Sequence, residues 1–253
     1  MTLISRQVGS ATVIALTDGE GTFFSTRAEA FPTATEELWR RTDEFDPQAV
    51  TADGEWLLRF RAFAIRLEDG QVILVDAGIG PADAPAAAWA PVPGRLPQEL
   101  AAAGIDPGEI SQVVLTHLHT DHIGWSVAGL FPNAAVLLQR SELEWISPAL
   151  HERLPGDQLV LLDGDSKLTD QIKIVATPGH TPGHQSVLVD DGDQLFAITG
   201  DLLVHALQLV APETRYTHEM DSDLARASRI ALLAKADVLA TPHLTEPFLT
   251  LPA

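Results

Sequence analysis

The sequence has no cysteine among its 253 residues. This absence excludes disulfide frameworks, thiolate nucleophiles, iron–sulfur clusters and zinc sites built on thiolates. Basic residues are also few, since 16 Lys and Arg stand against 35 Asp and Glu, which gives a formal net charge of −19. We therefore expect neither a nucleic-acid partner nor binding to an anionic membrane, because both need clustered positive charge.

Long apolar segments are lacking as well. The sequence has no run of 18 apolar residues, and residues 1–10 do not contain the apolar core of a signal peptide. We expect a protein of the cytoplasm with no membrane-bound segment. The composition, 45% hydrophobic and 20% charged, is typical of globular proteins. The length suits one large domain, which we predict over residues 1–253.

Segments that favour strands alternate with segments that favour helices, as is typical of an α/β protein. Residues 11–16 and 62–67 are predicted strands, whereas residues 81–93 are rich in proline and predict a loop. The clearest helix is predicted over residues 221–235. Its predicted apolar face comprises Leu224, Ala227, Ile230, Ala231 and Ala234.

An internal repeat suggests how the chain is organised. An apolar strand is followed by Asp76, a helix, another apolar strand and His117, and the same order recurs with Asp201 and His243. Asp76 and His117 are 41 positions apart, and Asp201 and His243 are 42 apart. We interpret this as two similar αβ halves packed face to face, which deliver these side chains to one edge. Coincidence among short apolar strands is the alternative.

The segment from His117 to His122, HLHTDH, carries the strongest signal for chemistry. In an extended chain, residues two apart point the same way, so His117 and His119 can converge on one ion. When the chain then turns helical, Asp121 and His122 are redirected to a position beside that ion. Imidazole and carboxylate ligands suit a divalent first-row metal, above all zinc. The alternative, a polar solvated loop, would leave these groups to repel one another.

Two further histidines lie in the loop TPGHTPGH, which follows a strand predicted over residues 172–176. The two Pro-Gly turns hold the loop in a rigid conformation. His180 is therefore predicted to be a metal ligand at the end of this strand. His184 is expected to hydrogen-bond the backbone of the loop, and metal binding is the alternative for this residue.

The remaining ligands are predicted at the ends of later strands. Asp201 follows Gly200, which lets the backbone bend and the carboxylate reach inward. His243 closes the last predicted strand, which gives it a place at the same edge. His151 and His218 lie in charged stretches, and we expect both to be exposed.

These motifs, in this order, resemble those of the metallo-β-lactamase-fold hydrolases. The residues that carry the resemblance are Asp76 in VDAG, the motif THLHTDH from Thr116, His180 in TPGHTPGH, Asp201 in TGD and His243 in ATPH. The resemblance covers roughly residues 60–245. It implies a four-layer αβ/βα sandwich, which agrees with the two halves inferred from the repeat.

The resemblance also implies ligands for two metal ions. For the first ion these are His117, His119 and His180. For the second they are Asp121, His122 and His243, and Asp201 would bridge the two. Asp76 would support the site without binding metal, and we assign the same supporting role to Thr116 and His184.

Charge counting indicates what such a site would do. Two divalent ions carry +4 and two carboxylates −2, so one bridging hydroxide leaves about +1. Such a pair lowers the pKa of bound water toward about 7 and polarises a carbonyl or phosphoryl oxygen. The hydroxide would attack that centre, and Asp121 would then protonate the leaving oxygen. We expect a hydrolase of small esters or lactones with two divalent ions, zinc foremost and manganese, cobalt or iron as alternatives.

Within the superfamily, the motifs look most like those of the N-acyl homoserine lactonase and methyl parathion hydrolase branches. Many homoserine lactonases place a substrate-polarising tyrosine shortly after the bridging aspartate, but residues 202–205 read LLVH and the single tyrosine is Tyr216. His205 is our candidate for the missing donor, and an ordinary partly buried histidine is the alternative. Candidate walls of the substrate pocket, which could equally be core, are Phe23, Phe24, Trp125, Leu202 and Leu203. No role is assigned to Trp39, Trp56, Trp89 and Trp145.

Other functions stay open at this stage. Organophosphate, aryl ester or phosphodiester hydrolysis would use the same site. A mononuclear-iron oxygenase acting on persulfide-like thiols is disfavoured, because all ligands for a second ion are present. A non-catalytic metal-binding module would show no turnover. The expected partner is a small-molecule ester or lactone, and the resemblance alone suggests a homodimer.

Overall fold

In the computed structural model, which describes residues 3–252, two β-sheets lie face to face. The first sheet contains, in spatial order, β1 (Ile4–Val8), β2 (Ala11–Thr22), β3 (Leu57–Arg66), β4 (Val72–Val75), β5 (Ile110–Val114), β6 (Ala135–Gln139) and β7 (Leu159–Leu162). The second sheet has the order β13-β12-β11-β10-β9-β8. Its strands are β8 (Ser166–Lys167), β9 (Ile172–Ala176), β10 (Gln185–Asp190), β11 (Leu195–Ile198), β12 (Val238–Ala240) and β13 (Phe248–Thr250).

The α-helices of the described residues lie in the connections between β2 and β3, β4 and β5, β5 and β6, β6 and β7, and β11 and β12. They are α1 (Arg27–Ala30), α2 (Glu36–Phe45), α3 (Leu96–Ala102), α4 (Thr120–Val127), α5 (Arg140–Trp145), α6 (Pro148–His151), α7 (Leu207–Val210) and α8 (Ser222–Leu233). The predicted loop over residues 81–93 contains one 3₁₀ turn, Pro85–Ala88. No helix within residues 3–252 is both long and apolar enough to cross a membrane. Residues 1, 2 and 253 lie outside the described range, and the assignment of residues 1–253 to one domain stays a prediction.

Apolar side chains fill the space between the sheets and the space under the helices. Between the sheets, residues of the first sheet such as Val13 and Ile65 pack against Val187 and Phe196 of the second. On the outer faces, α3 and α4 cover the first sheet and α8 covers the second. The layers therefore run helix, sheet, sheet, helix, which confirms the predicted αβ/βα sandwich.

The two halves of the predicted repeat are visible in the sheets. β4 and β5 are parallel neighbours in the first sheet, and β11 and β12 are parallel neighbours in the second. Residues at the carboxyl ends of these four strands meet at one edge of the sandwich, since His117 and His243 both lie close to Asp201. This edge is where ligands gather in α/β folds.

The buried face of α8 differs from the predicted one. Leu224 and Ile230, both on the predicted apolar face, are 42% and 45% exposed. The buried residues are Ala225, Arg229 and Leu232. The prediction was wrong because hydrophobic periodicity assigns every charged residue to the exposed face. Arg229 is buried nevertheless, since it finds hydrogen-bond partners inside the protein.

Candidate metal centre

The motif HLHTDH spans a change from strand to helix. β5 ends before it, and His119 has extended backbone (φ −66°, ψ 149°) as the residue that precedes α4. Gly124 lets α4 pack closely on a neighbouring turn, because a Cβ there would lie 2.3 Å from the carbonyl carbon of Ile79. The first turn of α4 then directs Asp121 and His122 toward the sheet edge, where both are buried.

Four side chains form a first group of ligand atoms. Nδ1 of His119 lies 2.9 Å from Nε2 of His117 and 2.9 Å from Nε2 of His180. Oδ2 of Asp201 lies 3.2 Å from Nε2 of His180 and 3.7 Å from Nε2 of His117. A ring nitrogen either donates one proton or accepts one. Hydrogen bonds alone therefore cannot satisfy all of the imidazole nitrogens and the carboxylate oxygen that face one another here.

Three side chains form a second group beside the first. Oδ2 of Asp121 lies 3.5 Å from Nε2 of His122 and 3.6 Å from Nε2 of His243. Oδ1 of Asp201 lies 3.2 Å and 3.0 Å from the same two nitrogens. Asp201 therefore stands between the two groups and turns one oxygen to each.

Unpartnered buried atoms show that this donor set fits cations. Nε2 of His122 and Oδ1 of Asp201 are buried and have no partner with hydrogen-bond geometry among the described residues. Burying a polar atom costs free energy of folding unless a hydrogen-bond partner or a metal ion satisfies it. Imidazole nitrogen and carboxylate oxygen are ligands that divalent first-row metals prefer. The seven residues thus fit two divalent cations.

The two groups differ in their affinity for protons. Burial lowers the pKa of His117 well below its ordinary value, and burial together with His180 lowers the pKa of His119 to about 3. Burial acts in the same direction on His122, but the neighbouring carboxylates, Asp201 foremost, raise the pKa of His122 well above its ordinary value. His117 and His119 are therefore neutral and ready to bind metal near neutral pH, whereas His122 in the second group holds a proton.

Asp76 and Thr116 lie directly behind the ligands. The carboxylate of Asp76 accepts the backbone N–H of Thr116 at 2.7 Å and its hydroxyl at 2.9 Å. It also lies 2.8 Å from Nδ1 of His122, and the Thr116 hydroxyl lies 3.0 Å from Nδ1 of His117. Asp76 has a left-handed backbone (φ 62°), which a non-glycine residue adopts rarely. Both residues contact proposed ligands, and their supporting role stays a prediction.

The loop that carries His180 is pressed against α8. Gly179 has a φ of 130°, and a Cβ there would lie 2.0 Å from the backbone nitrogen of Ala225. His184 belongs to neither group of ligand atoms. Its Nδ1 lies 3.1 Å from the carbonyl oxygen of Thr177, which is the expected contact with the loop backbone.

A cavity of about 390 Å³ opens onto both groups, and His119, Asp121 and His243 form part of its lining. Its aromatic walls are Phe23, Phe24, Trp56, Trp89, Trp145 and Tyr216. The described residues place no lysine or arginine in the lining. His218 and His151 are both exposed, as expected, and of the two only His218 belongs to the lining. The cavity therefore suits a neutral, largely apolar molecule.

Three of the five predicted pocket walls lie elsewhere. Phe23 and Phe24 line the cavity, but Trp125, Leu202 and Leu203 do not. The indole N–H of Trp125 points to the carboxylate of Asp18, at 3.1 Å, and its ring packs against the core of the first sheet. Leu202 and Leu203 are buried in the core under α8. The assignment of these three residues to the pocket wall was therefore wrong. Their packing in the core decides which way the side chains face, and the sequence alone does not show it.

His205 does not line the cavity either. Its ring is fully buried among the rings of Phe31, Trp39 and Trp56, with centroids 5.2 to 5.6 Å away. Its Nδ1 accepts the backbone N–H of Leu207 at 3.0 Å. Burial lowers the pKa of His205 to about 3. The predicted role as a donor to the substrate is therefore corrected, since this histidine lies behind the wall.

Four aromatic residues of the cavity were missed by sequence reasoning. Trp56, Trp89 and Trp145 had no assigned role, and Tyr216 was named as the single tyrosine without a place in the site. The Tyr216 ring stacks parallel to His180, with 6.2 Å between centroids and 8° between planes. A loop after α7 brings it there. The one available signal was that the chain has a single tyrosine.

Comparison with protein families matches residues 61–243 to the metallo-beta-lactamase superfamily. Among curated proteins, an N-acyl homoserine lactonase from a Bacillus species is 33% identical over 103 residues. That alignment covers 38% of this chain and 39% of the relative. The chain therefore matches well under two thirds of the relative's length.

Two solved structures are similar over nearly the whole chain. The dizinc quorum-quenching lactonase AidC, in complex with a product, superposes with a TM-score of 0.79 at 23% identity and covers 99% of this chain and 97% of its own. The hydrolase AbOPH of the beta lactamase superfamily superposes with a TM-score of 0.76, also at 23% identity and with the same coverage. At this identity the likeness is one of fold.

Proposed function

The chain belongs to the metallo-beta-lactamase superfamily, and on that premise we propose that it is a hydrolase of small neutral esters or lactones that depends on two divalent ions. The observation that carries the proposal is the position of Asp201, with one oxygen toward each of two groups of buried ligands at the floor of an aromatic cavity. Zinc is the proposed metal, since these ligands suit it.

Each group would hold one ion. The first would be bound by His117, His119 and His180, the second by Asp121, His122 and His243, and Asp201 would contact both. When bound, such ions lower the pKa of water and withdraw electrons from a carbonyl or phosphoryl oxygen. Asp121 lines the cavity, so its carboxylate can take a proton from the attacking water and return it to the leaving oxygen.

Tyr216 is our proposed donor to the substrate carbonyl. Burial, together with Asp201 and Asp121, raises the pKa of its phenol well above the ordinary value. The phenol therefore stays protonated and can donate a hydrogen bond to the oxygen on which negative charge develops. Its ring lines the cavity beside His180, which places it near the proposed ions.

The lining favours neutral substrates over anionic ones. Among the described residues no arginine or lysine reaches the cavity, so a phosphodiester would find no cationic side chain to pair with. The rings of Phe23, Trp56 and Trp89 offer an apolar surface for an acyl chain or an aryl group. An acyl lactone is our first choice, because it joins a neutral ester to an apolar chain. A cytoplasmic location and a homodimer stay predictions.

The test is a hydrolysis panel on the purified, zinc-loaded protein. It would span acyl homoserine lactones, aryl esters, a phosphotriester and a phosphodiester. We expect turnover of lactones or esters, and we expect Asp201→Asn to lose both turnover and bound metal. His151→Ala, at an exposed position outside the cavity lining, is the matched control and should retain both. A protein that carries two equivalents of metal and turns over no member of the panel would refute the proposal.

A further inference from the structure

A buried ion pair lies behind the wall of the cavity. Arg229 in α8 is fully buried, and its Nη1 donates to Oε1 of Glu219 at 2.8 Å. Charged side chains are rarely buried to this degree, and removing one partner of such a pair leaves an uncompensated charge. Neither side chain lines the cavity.

The other donors of Arg229 all point to backbone carbonyls. Its Nε donates to Pro212 at 2.7 Å, Nη2 to Thr214 at 3.0 Å and Nη1 also to Leu202 at 3.1 Å. Leu202 directly follows Asp201 of the candidate metal centre. One guanidinium therefore joins the turn that presents Asp201 to the loop of residues 211–219.

Glu219 holds the same loop from the other side. Its Oε2 accepts the backbone N–H of Tyr216 at 3.3 Å, and its Oε1 accepts the side-chain amide of Gln208 at 3.3 Å. The carbonyl oxygen of that amide accepts the backbone N–H of Val204 at 2.8 Å. Arg229, Glu219 and Gln208 thus form a buried network, which we call the 208–219–229 network, and one of its contacts holds the backbone of Tyr216 itself.

Within this loop, Tyr216 supplies the ring that faces the candidate metal centre. It lines the cavity and stacks on His180 from one side, and it packs on Phe31 from the other, 5.2 Å between centroids. A purely apolar anchor for the loop would fill space but would not select one backbone conformation. The directional hydrogen bonds of the network to five backbone groups of residues 202–216 select one backbone conformation.

We propose that the 208–219–229 network is a positioning unit that sets the Tyr216 ring over the candidate metal centre and does not itself touch the substrate. The proposal rests on the proposed function for its kinetic consequence only. Its structural consequence, a defined place for the Tyr216 ring, can be measured without turnover.

The single tyrosine of the chain makes that measurement direct. Labelling with 3-fluorotyrosine gives one ¹⁹F resonance, which reports the surroundings of Tyr216 alone. Glu219→Gln keeps the shape of the side chain but removes the charge, and Arg229→Lys keeps the charge but not the planar fork. We expect each to move or broaden the resonance and to increase its solvent-induced shift, while the bound zinc stays at the wild-type level.

Matched controls lie close by in the sequence. Glu213→Gln changes an exposed residue of the same loop, and Arg226→Lys changes an exposed residue of the same helix. Both should leave the resonance where it is in the wild-type protein. If Arg229→Lys does not fold, Glu219→Gln and Gln208→Met carry the test, because each leaves Arg229 in place.

Kinetics add a second and separable readout. With a substrate from the panel, Glu219→Gln should lower kcat at least about tenfold, since small displacements of a reacting group are costly. In the Tyr216→Phe background the same change should have almost no further effect, because both act through one phenol. Fully additive losses, or an unmoved resonance in Glu219→Gln, would overturn the proposal. A moved resonance in a protein without turnover on the panel would uphold positioning and refute only the hydrolase.

Discussion

Two of the proposed histidine ligands, His122 and His243, have a hydrogen-bond partner on Nδ1, the nitrogen that faces away from the other ligands. Nδ1 of His243 donates to the carbonyl oxygen of Arg59 at 2.7 Å, and Nδ1 of His122 faces the carboxylate of Asp76. These contacts keep a proton on Nδ1, so the proton that a metal displaces is the one on Nε2, which faces Asp201. Partners on the far nitrogen orient a ligand before the metal arrives and raise its basicity.

The residue-scale prediction concerns Tyr216 and His205. Tyr216→Phe should lower kcat about 100-fold, the usual cost of removing one donor to a developing oxyanion, and leave the metal content unchanged. His205→Phe should leave kcat near the wild-type value, because that ring lies among Phe31, Trp39 and Trp56, outside the cavity. Steady-state kinetics with metal analysis of both variants distinguish the two residues. The reverse ranking would restore His205 as the donor.

At the scale of elements, α5 ties two ligand loops together through Glu142. This carboxylate is fully buried. Its Oε2 accepts the backbone N–H of Leu118, between two histidines of the HLHTDH motif, at 3.0 Å. Its Oε1 accepts the backbone N–H of Gly183, in the loop of His180, at 2.7 Å. One side chain thereby sets the spacing between segments that are far apart in sequence.

Glu142→Ala should therefore weaken the first metal group. It leaves two buried N–H donors without an acceptor, at about 1–3 kcal/mol each, and lets the two loops separate. We expect metal affinity to fall about 10- to 100-fold, as is usual when a residue behind the ligands is removed. Competition with a chromogenic chelator measures this. Glu144→Gln, an exposed change on the same helix, is the control, and equal affinities in the two variants would count against the coupling.

At the scale of the whole molecule, the distribution of charge makes metal binding dependent on pH. Burial lowers the pKa of His119 to about 3, so protons do not compete with a metal there near neutral pH. Burial also tends to lower the pKa of His243, but Asp201 and Asp121 raise it above the ordinary value, and the pKa of His122 is raised as well. A raised pKa means that the metal must displace a proton at any pH below it.

The second ion should therefore leave before the first as the pH falls. Metal per chain, measured after equilibration between about pH 8.5 and about pH 5.5, should drop from two equivalents to one within this range. His122→Ala should lack the acid-labile equivalent and keep the other. Simultaneous loss of both ions at one pH, or loss of the first alone, would contradict this order.

The local sequence predicted the proposed metal ligands more completely than it predicted the residues that line the cavity. Asp76 and the proposed ligands His117, Asp201 and His243 each lie just after a strand in the chain, so they could be predicted together with the two halves that carry them. The same holds for the layers of the sandwich, because alternation of strands and helices is also a local property.

The tertiary structure alone decided which residues surround those ligands. Tyr216 and Trp89 reach the cavity through loops, and Arg229 is buried on a face of α8 that hydrophobic periodicity placed in solvent. The positions of these residues depend on contacts between segments that are far apart in the chain. The periodicity of hydrophobic residues within one segment does not predict such contacts. The proposed metal ligands directly follow strands that the local sequence predicts, whereas the walls and supports of the cavity depend on which distant segments the folded chain packs together.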